Sequence, residues 1–324
     1  MKTALYTRNG PAHSVLEMVS KPVPDPAVGE VSVKLSTSGV NPSDVKSRAG
    51  RPLAFDFQIP HSDGAGIIDR VGEGVDASRV GERVWIWNGA YQRPYGTAAE
   101  FIVVPEFQAV SLADDIDFRT AACFGIPGLT AAHAVNLVVA RGHNKVLVTG
   151  AANAVGHYVT QMLVKAGIEV IATTSKSKES IALDVGASIV IDYHNEDVGE
   201  RLAEITKGNG VDAVIDMDFS STSRLIPSSG LASGSSIYCY GSNDMGDLEV
   251  PFRDLLFKSI SLVFFLVYEL PVEERLTAIK RLNEFMASGN AVTRISHALA
   301  FDEIATAHEL VESGQANGNV VLEL

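Results

Sequence analysis

Cysteine is almost missing from this chain of 324 residues: there are two, Cys123 and Cys239. Two thiols make no disulfide framework and cannot supply a four-thiolate zinc site. Basic charge is also scarce. Lys and Arg total 26 against 39 Asp and Glu, a formal balance of −13. The anionic surfaces of nucleic acids and membranes repel such a chain, which argues against both as partners. Long apolar runs are absent as well. The most apolar, SISLVFFLV at residues 259–267, is too short to span a bilayer. No apolar stretch follows a basic start, so no signal peptide is expected, and the cysteine usage suits a reducing, cytoplasmic setting.

What is present reads as two regions. In the first third, short apolar runs are split by Gly and Pro: EVSVKLS, GAGIIDRVGEGV, GERVWIW and AAEFIVVP. Such punctuation predicts a compact barrel or irregular sheet. The middle alternates differently. KVLVTG, EVIATTS, ASIVIDY, VDAVIDM, SSIYCYG and SISLVFFLV are continuous apolar runs of strand length, and helical patterns lie between the early ones. In the first of these patterns Val155, Tyr158, Val159, Met162, Leu163 and Ala166 share one face, and Gly167 follows as a stop. Buried strands alternating with helices predict an α/β, doubly wound parallel sheet of Rossmann type. Residues 271–289 read as an amphipathic helix, residues 296–314 hold a second helix, and NVVLEL closes the chain as a strand. A strand after a completed parallel sheet suggests a return to the first region.

The stretch VLVTGAANAVG carries the clearest chemistry. Its strand runs into a corner of small residues, and the helix starts near Ala154. The first N–H groups of a helix have no internal partner, and the helix dipole puts partial positive charge there. A pyrophosphate is their natural ligand, provided side chains stay small. Gly150, Ala151, Ala152, Ala154 and Gly156 supply small side chains at that corner, Val155 is expected to bind the cofactor with them, and Gly156 also lets the helix pack on the strand. Asn153 stands where a dinucleotide fingerprint wants its central glycine. Either a left-handed backbone or an amide aimed at the cofactor is expected of it. NAD-binding folds place an acidic residue at the end of the next strand, for the ribose hydroxyl. Here that strand ends in Ser175, Lys176 and Lys178. A hydroxyl and two ammonium groups suit a 2′-phosphate, so NADPH is expected over NADH. Lysines opening a helix oppose its dipole, and a compensating anion is expected there.

These motifs, with GVNPSDVKSRAG, PHSDGAGII, GIPGLTAAHAV, GASIVIDYHNED, CYGS and SGQANGNVVLEL in this order, resemble one family over essentially the whole chain. It is the zinc-independent branch of the medium-chain dehydrogenase/reductases, in particular the zeta-crystallin-like NADPH:quinone reductases. The resemblance implies a GroES-like catalytic domain built from residues 1–124 and 268–324, around a Rossmann NADPH-binding domain at 125–267. It implies a homodimer joined through the last Rossmann strand; SLVFFLV fits either such an edge or an interior strand. It places Asn41 and Asp44 at the active-site loop, with Asn41 near the nicotinamide ribose or the substrate. Pro127 and Thr130 are implied near the nicotinamide, and Lys178 and Tyr193 beside the adenosine 2′-phosphate. Gly241 and Ser242 pass under the cofactor in this family, Phe264 and Leu266 lie near the carboxamide, and Asn317 and Asn319 sit near the terminal loop. Lys46 stands where relatives often carry a tyrosine of the quinone pocket, and Asn319 follows Gly318 where relatives often have lysine.

No zinc is expected. Residues 41–44 contain no Cys, and His61 and Asp63 show no evident third ligand; His133, His157 and His308 fall in helical patterns. Without a Lewis acid, the expected chemistry is hydride delivery from NADPH to an electrophile that is already activated. Quinones and α,β-unsaturated carbonyls qualify, with Lys46, solvent or a tyrosine such as Tyr91 or Tyr95 as proton source. The expectation is a quinone reductase. The alternatives are an alkenal or enone double-bond reductase, or a nonenzymatic NADPH-binding protein with a sensory or RNA-binding role.

Overall fold

A computed structural model describes residues 1–324. Fifteen strands run along the chain: β1 (Lys2–Leu5), β2 (Glu17–Ser20), β3 (Glu30–Val40), β4 (Asp63–Val71), β5 (Arg83–Ile86), β6 (Phe101–Pro105), β7 (Ala109–Ser111), β8 (Lys145–Val148), β9 (Glu169–Thr174), β10 (Ile189–Asp192), β11 (Val211–Asp216), β12 (Leu231–Cys239), β13 (Ser261–Phe264), β14 (Ile295–Ala300) and β15 (Asn319–Glu323). They fall into two compact units, Met1–Gly128 with Val292–Leu324, and Leu129–Ala291.

The first unit holds a seven-stranded sheet in the order β14-β15-β3-β4-β5-β7, with β6 also paired to β3. Only β14 and β15 run parallel; the other pairs are antiparallel. Alternation along β3 sends Val31, Val33 and Leu35 into a core with Ile68, Val84, Ile86, Ile102 and Val104. The closing strand β15 returns to this unit and pairs antiparallel with β3, Val321 opposite Gly39. β14 lies inside the stretch expected to hold a helix. His-Ala-Leu-Ala is ambiguous by itself, and pairing with β15 makes it a strand. The helix begins only at Ile304 and runs to Glu312.

The second unit is a six-stranded parallel sheet, order β10-β9-β8-β11-β12-β13. The chain leaves β8 through β9 and β10 on one side and resumes with β11 on the other. The carboxyl end of β8 is therefore a topological switch point, where open α/β sheets bind ligands. Leu147, Ile171, Ile191, Val214 and Ile237 form the core beneath. β13 is an edge strand, not an interior one, and it is short: four residues of the apolar run form the ladder.

The expected division at residue 268 differs from the observed one. The helix Val272–Met286 belongs to the second unit and packs on the helix Leu129–Ala140. Ala278 and Leu282 are fully buried, and Arg281 donates from Nε to Asn136 Oδ1. Amphipathicity alone showed that the helix had a face to bury, not against which neighbour.

Candidate functional site

The turn after β8 is built from backbone. Gly150 has φ +64, the left-handed conformation that glycine adopts without steric cost. Asn153 N–H closes the turn onto Gly150 O at 2.9 Å. The helix Ala154–Lys165 then begins with Asn153 as its N-cap. A Cβ at Gly156 would lie 2.4 Å from Gly150 O and 2.8 Å from Ala151 Cα, so only glycine lets the helix sit this close to the turn. Ala151 and Ala152 are buried and small. The N–H groups of Ala154, Val155 and Gly156 open the helix without carbonyl partners inside it. This arrangement can hold a phosphate group.

Asn153 departs from the first expectation. Its φ is −85 and ψ 168, ordinary extended backbone; the left-handed position is Gly150, where a glycine takes it without strain. The N-cap role explains this, because a cap residue sits in the β region while its carbonyl takes the first helical bond, here from His157 N at 2.9 Å. Its amide Nδ2 points to Met217 Sδ at 3.2 Å. The same sulfur crowds the turn, 2.1 Å from a Cβ built on Gly150. No periodicity marks Met217; the crossover from β11 brings it here.

At the end of β9, Lys176 and Lys178 form a short 3₁₀ turn before the helix Glu179–Leu183. The compensating anion is the protein's own Glu179, which pairs with the Lys176 ammonium and raises its pKa. Lys178 has no such carboxylate partner, while its N–H donates to Ser175 O at 2.9 Å. Asp192, at the end of β10, also lies by Lys176, but its carboxylate accepts from Asn195 Nδ2 at 2.6 Å and His194 N at 3.2 Å. Tyr193 is half exposed, its ring tilted against that of His194 with centroids 4.2 Å apart. Gly241 follows β12, tight against Met217 O, and Ser242 Oγ donates to Asp244 O at 2.5 Å. Phe264 is exposed at the edge, its ring packed on Phe219, and Leu266 is exposed beside it. Thr130 is buried in the helix Leu129–Ala140.

The first unit holds the second cluster. Asn41 and Asp44 cap the helix Pro42–Gly50, with Asn41 N–H donating to Asp44 Oδ2 at 2.8 Å. Burial raises the Asp44 carboxyl to about 7 against the pull of these bonds. Asn41 Nδ2 donates to Asp63 Oδ2 at 2.8 Å, and Ile126 N–H reaches both Asp63 oxygens at 2.9 Å. Burial pushes Asp63 well above the carboxylate range, the Ile126 bond opposes this, and the Asp44 charge adds to it. Ile126 belongs to a π-helical turn, Phe124–Gly128, that also buries Pro127. Lys46 is exposed on the Pro42–Gly50 helix. Asn317 gives its carbonyl to Arg294 Nε at 2.6 Å, and buried Asn319 donates to Arg294 O at 3.0 Å.

Behind Asp63 runs a buried polar chain. Thr97 Oγ1 donates to Asp63 O at 2.6 Å, so Ser38 Oγ must donate to Thr97 at 2.8 Å. His61 Nδ1–H then donates to Ser38 at 2.9 Å, which leaves His61 Nε2 to accept from His308 Nε2–H at 2.9 Å. Both rings are neutral in this pattern. Burial holds both pKa values down, His308 to about 3, where the Arg48 charge lowers it further. His61 has φ +75, a strained conformation for a residue with a side chain.

This donor set does not fit zinc. Both nitrogens of His61 are spent on protein partners, and no three His, Cys, Asp or Glu side chains come together as a metal-binding group.

A parallel sheet with a glycine turn at its switch point, in one chain with a β-rich unit made from both chain ends, defines a nucleotide-dependent dehydrogenase/reductase architecture. Residues 27–114 match the family described as alcohol dehydrogenase GroES-like domain, and residues 154–284 the one described as zinc-binding dehydrogenase. A chloroplastic quinone oxidoreductase of Triphysaria versicolor is 30% identical over 224 residues, 66% of this chain and 67% of the relative. The quinone oxidoreductase of Rattus norvegicus is 29% identical over 93% of this chain and 91% of its own. A mycobacterial protein solved with NADPH is 28% identical, with a TM-score of 0.88 and full coverage of both chains. The chain belongs to the medium-chain dehydrogenase/reductase family of oxidoreductases.

Proposed function

We propose that the protein is an NADPH-dependent quinone reductase. The carrying observation is the glycine turn at the β8 switch point followed by a β9 end whose residues 175–178 include Ser175, Lys176 and Lys178 and no Asp or Glu. The pyrophosphate would lie on the N–H groups of Ala152, Ala154, Val155 and Gly156, with Asn153 and Met217 beside it. Lys178, free of a carboxylate partner, would take the 2′-phosphate with Ser175, and Tyr193 would cover the adenosine. Gly241, Ser242, Phe264 and Leu266 would follow the cofactor toward its nicotinamide end, as would Pro127, Thr130 and Asn317. Asn319, already bonded to Arg294, would hold the terminal loop in shape.

Bound NADPH supplies a hydride to the acceptor. The chain's part is to place that acceptor and to exclude water. Asn41 would contact the ligand, Asp44 would hold its peptide, and the exposed Lys46 ammonium would release a proton to the reduced acceptor. Relatives named quinone oxidoreductase support the acceptor class. The test is NADPH oxidation with 9,10-phenanthrenequinone beside 2-hexenal. Quinone turnover with preference for NADPH is expected; turnover of the enal alone, or preference for NADH, overturns the reading.

The exposed edge β13, with Phe264 and Leu266 out, supports a homodimer through that strand. Light scattering should give twice the chain mass, and Phe264→Glu should halve it. Two unpaired, buried cysteines support a reducing cytoplasmic compartment.

A further inference from the structure

Asp63 is a costly residue in its place. It is fully buried, its carboxyl faces the charge of Asp44, and an apolar residue there would avoid the desolvation penalty. The fold makes room for it at two other positions. A Cβ at Gly125 would lie 2.1 Å from Asp63 Oδ1, and one at Gly39 would lie 2.3 Å from Ala122 O and 3.2 Å from Asp63 Cβ. Side chains are thus excluded from two segments so that one carboxylate can reach between them. It collects Asn41 Nδ2–H from the corner after β3 and Ile126 N–H from the π-helical turn. Its own carbonyl is fixed by Thr97 at the end of the Ser38–His61–His308 chain.

We propose that Asp63 is a positioning residue. It fixes the amide of Asn41 so that this side chain meets its ligand through Oδ1, as an acceptor, and it locks the Ile126 turn in the same grip. The inference rests on the reading of Asn41 as a ligand contact. A carboxamide can rotate to offer either a donor or an acceptor. With its nitrogen held by Asp63 Oδ2, Asn41 offers an oxygen. An oxygen accepts from a hydroxyl, as on a ribose, and repels a quinone carbonyl. Asn41 is then a cofactor contact, and the acceptor must be held by other groups.

The test is a reciprocal exchange. Asp63→Asn replaces a carboxyl that accepts at both oxygens by a carboxamide with one, and Asn41→Asp sets two carboxyl groups against each other. Each alone should lower kcat/KM for NADPH about 10-fold or more. The double variant Asn41→Asp/Asp63→Asn restores a donor–acceptor pair with the direction reversed, leaves an oxygen for Ile126 N–H, and still presents an acceptor at position 41. It should recover to within about 3-fold of the parent, mainly through KM for NADPH rather than for the quinone. The second measurement needs no turnover. In the parent chain, one side-chain amide hydrogen of Asn41 should exchange at least about 10-fold more slowly than that of exposed Asn243. Failure of the double variant to recover, or an unprotected Asn41 amide, overturns the proposal. A protected amide in a chain that turns over no NADPH would instead defeat the functional reading and leave the positioning role standing.

Discussion

The Gly150–Gly156 turn and the Asn41–Asp63 corner solve opposite problems. The turn is made from seven consecutive residues, and its useful groups are main-chain N–H. What matters there is what side chains leave out. The corner joins residues 41, 63 and 126 from three segments, and its useful groups are buried side chains. What matters there is that every donor meets an acceptor, because an unpaired polar group in a dry interior is expensive. A turn of the first kind has room for small side chains at 151, 152 and 154 and for glycine alone at 150 and 156. A corner of the second kind tolerates almost no single change.

Four experiments press on that contrast. The largest effect belongs to Gly156→Val. Its side chain would collide with Gly150 O and Ala151 Cα, so helix and strand must separate. The expected cost is about 3 kcal/mol or more in chemical denaturation, with NADPH binding lost by fluorescence titration. Gly125→Ala comes next, because its methyl group would strike Asp63 Oδ1. We expect kcat/KM to fall about 30-fold while NADPH protection of the second unit from proteolysis persists. If Gly125→Ala is neutral, the corner is more forgiving than its packing suggests.

Lys178→Ala should weaken NADPH about 10-fold and leave NADH within about 2-fold, as read by the two dissociation constants. Equal loss for both would break the assignment of the β9 end to a 2′-phosphate. The smallest effect is a matter of slope. His61 and His308 have folded pKa values below their unfolded ones. Their contribution is therefore complete above the unfolded pKa of about 6.5 and disappears as pH falls through the folded value, about 3 for His308. His308 is faced by His61 and by the Arg48 charge, and Arg48 in turn by Glu312. Asp44 works the other way: its raised pKa, about 7, gives stability that is complete below about 4 and lost as pH rises through 7. Across pH 6.5 to 4 the Tm gap between the parent and His308→Gln should narrow. A gap that stays constant would mean that the pair keeps its neutral form through a route other than burial.

Much of the second unit was legible because its signals are local. Continuous apolar runs mark β8, β9 and β11, and Gly167 ends the helix that begins at Ala154. The edge position of β13 was not legible, because an apolar strand reads alike at an edge and in the interior. β14 was hidden for a related reason: its pairing with β15 across the Ile304–Glu312 helix overrode a weak local pattern. The anion expected opposite Lys176 was not legible as one of the protein's own, and it is Glu179, three residues on. Asp63 was visible only as an isolated carboxylate beside His61.

The sequence by itself determined the class of sheet, the turn at the end of β8 and the absence of a carboxylate from residues 175–178 at the end of β9. Each follows from neighbours within a few residues, through periodicity, small side chains and unpaired helix N–H groups. Tertiary structure alone decided that Met217 lies on the turn, that His61 meets His308, and that Asp63 grips both Asn41 and Ile126. Those contacts join residues that nothing local relates. They exist because burial leaves a polar group only the partners that the fold delivers to it.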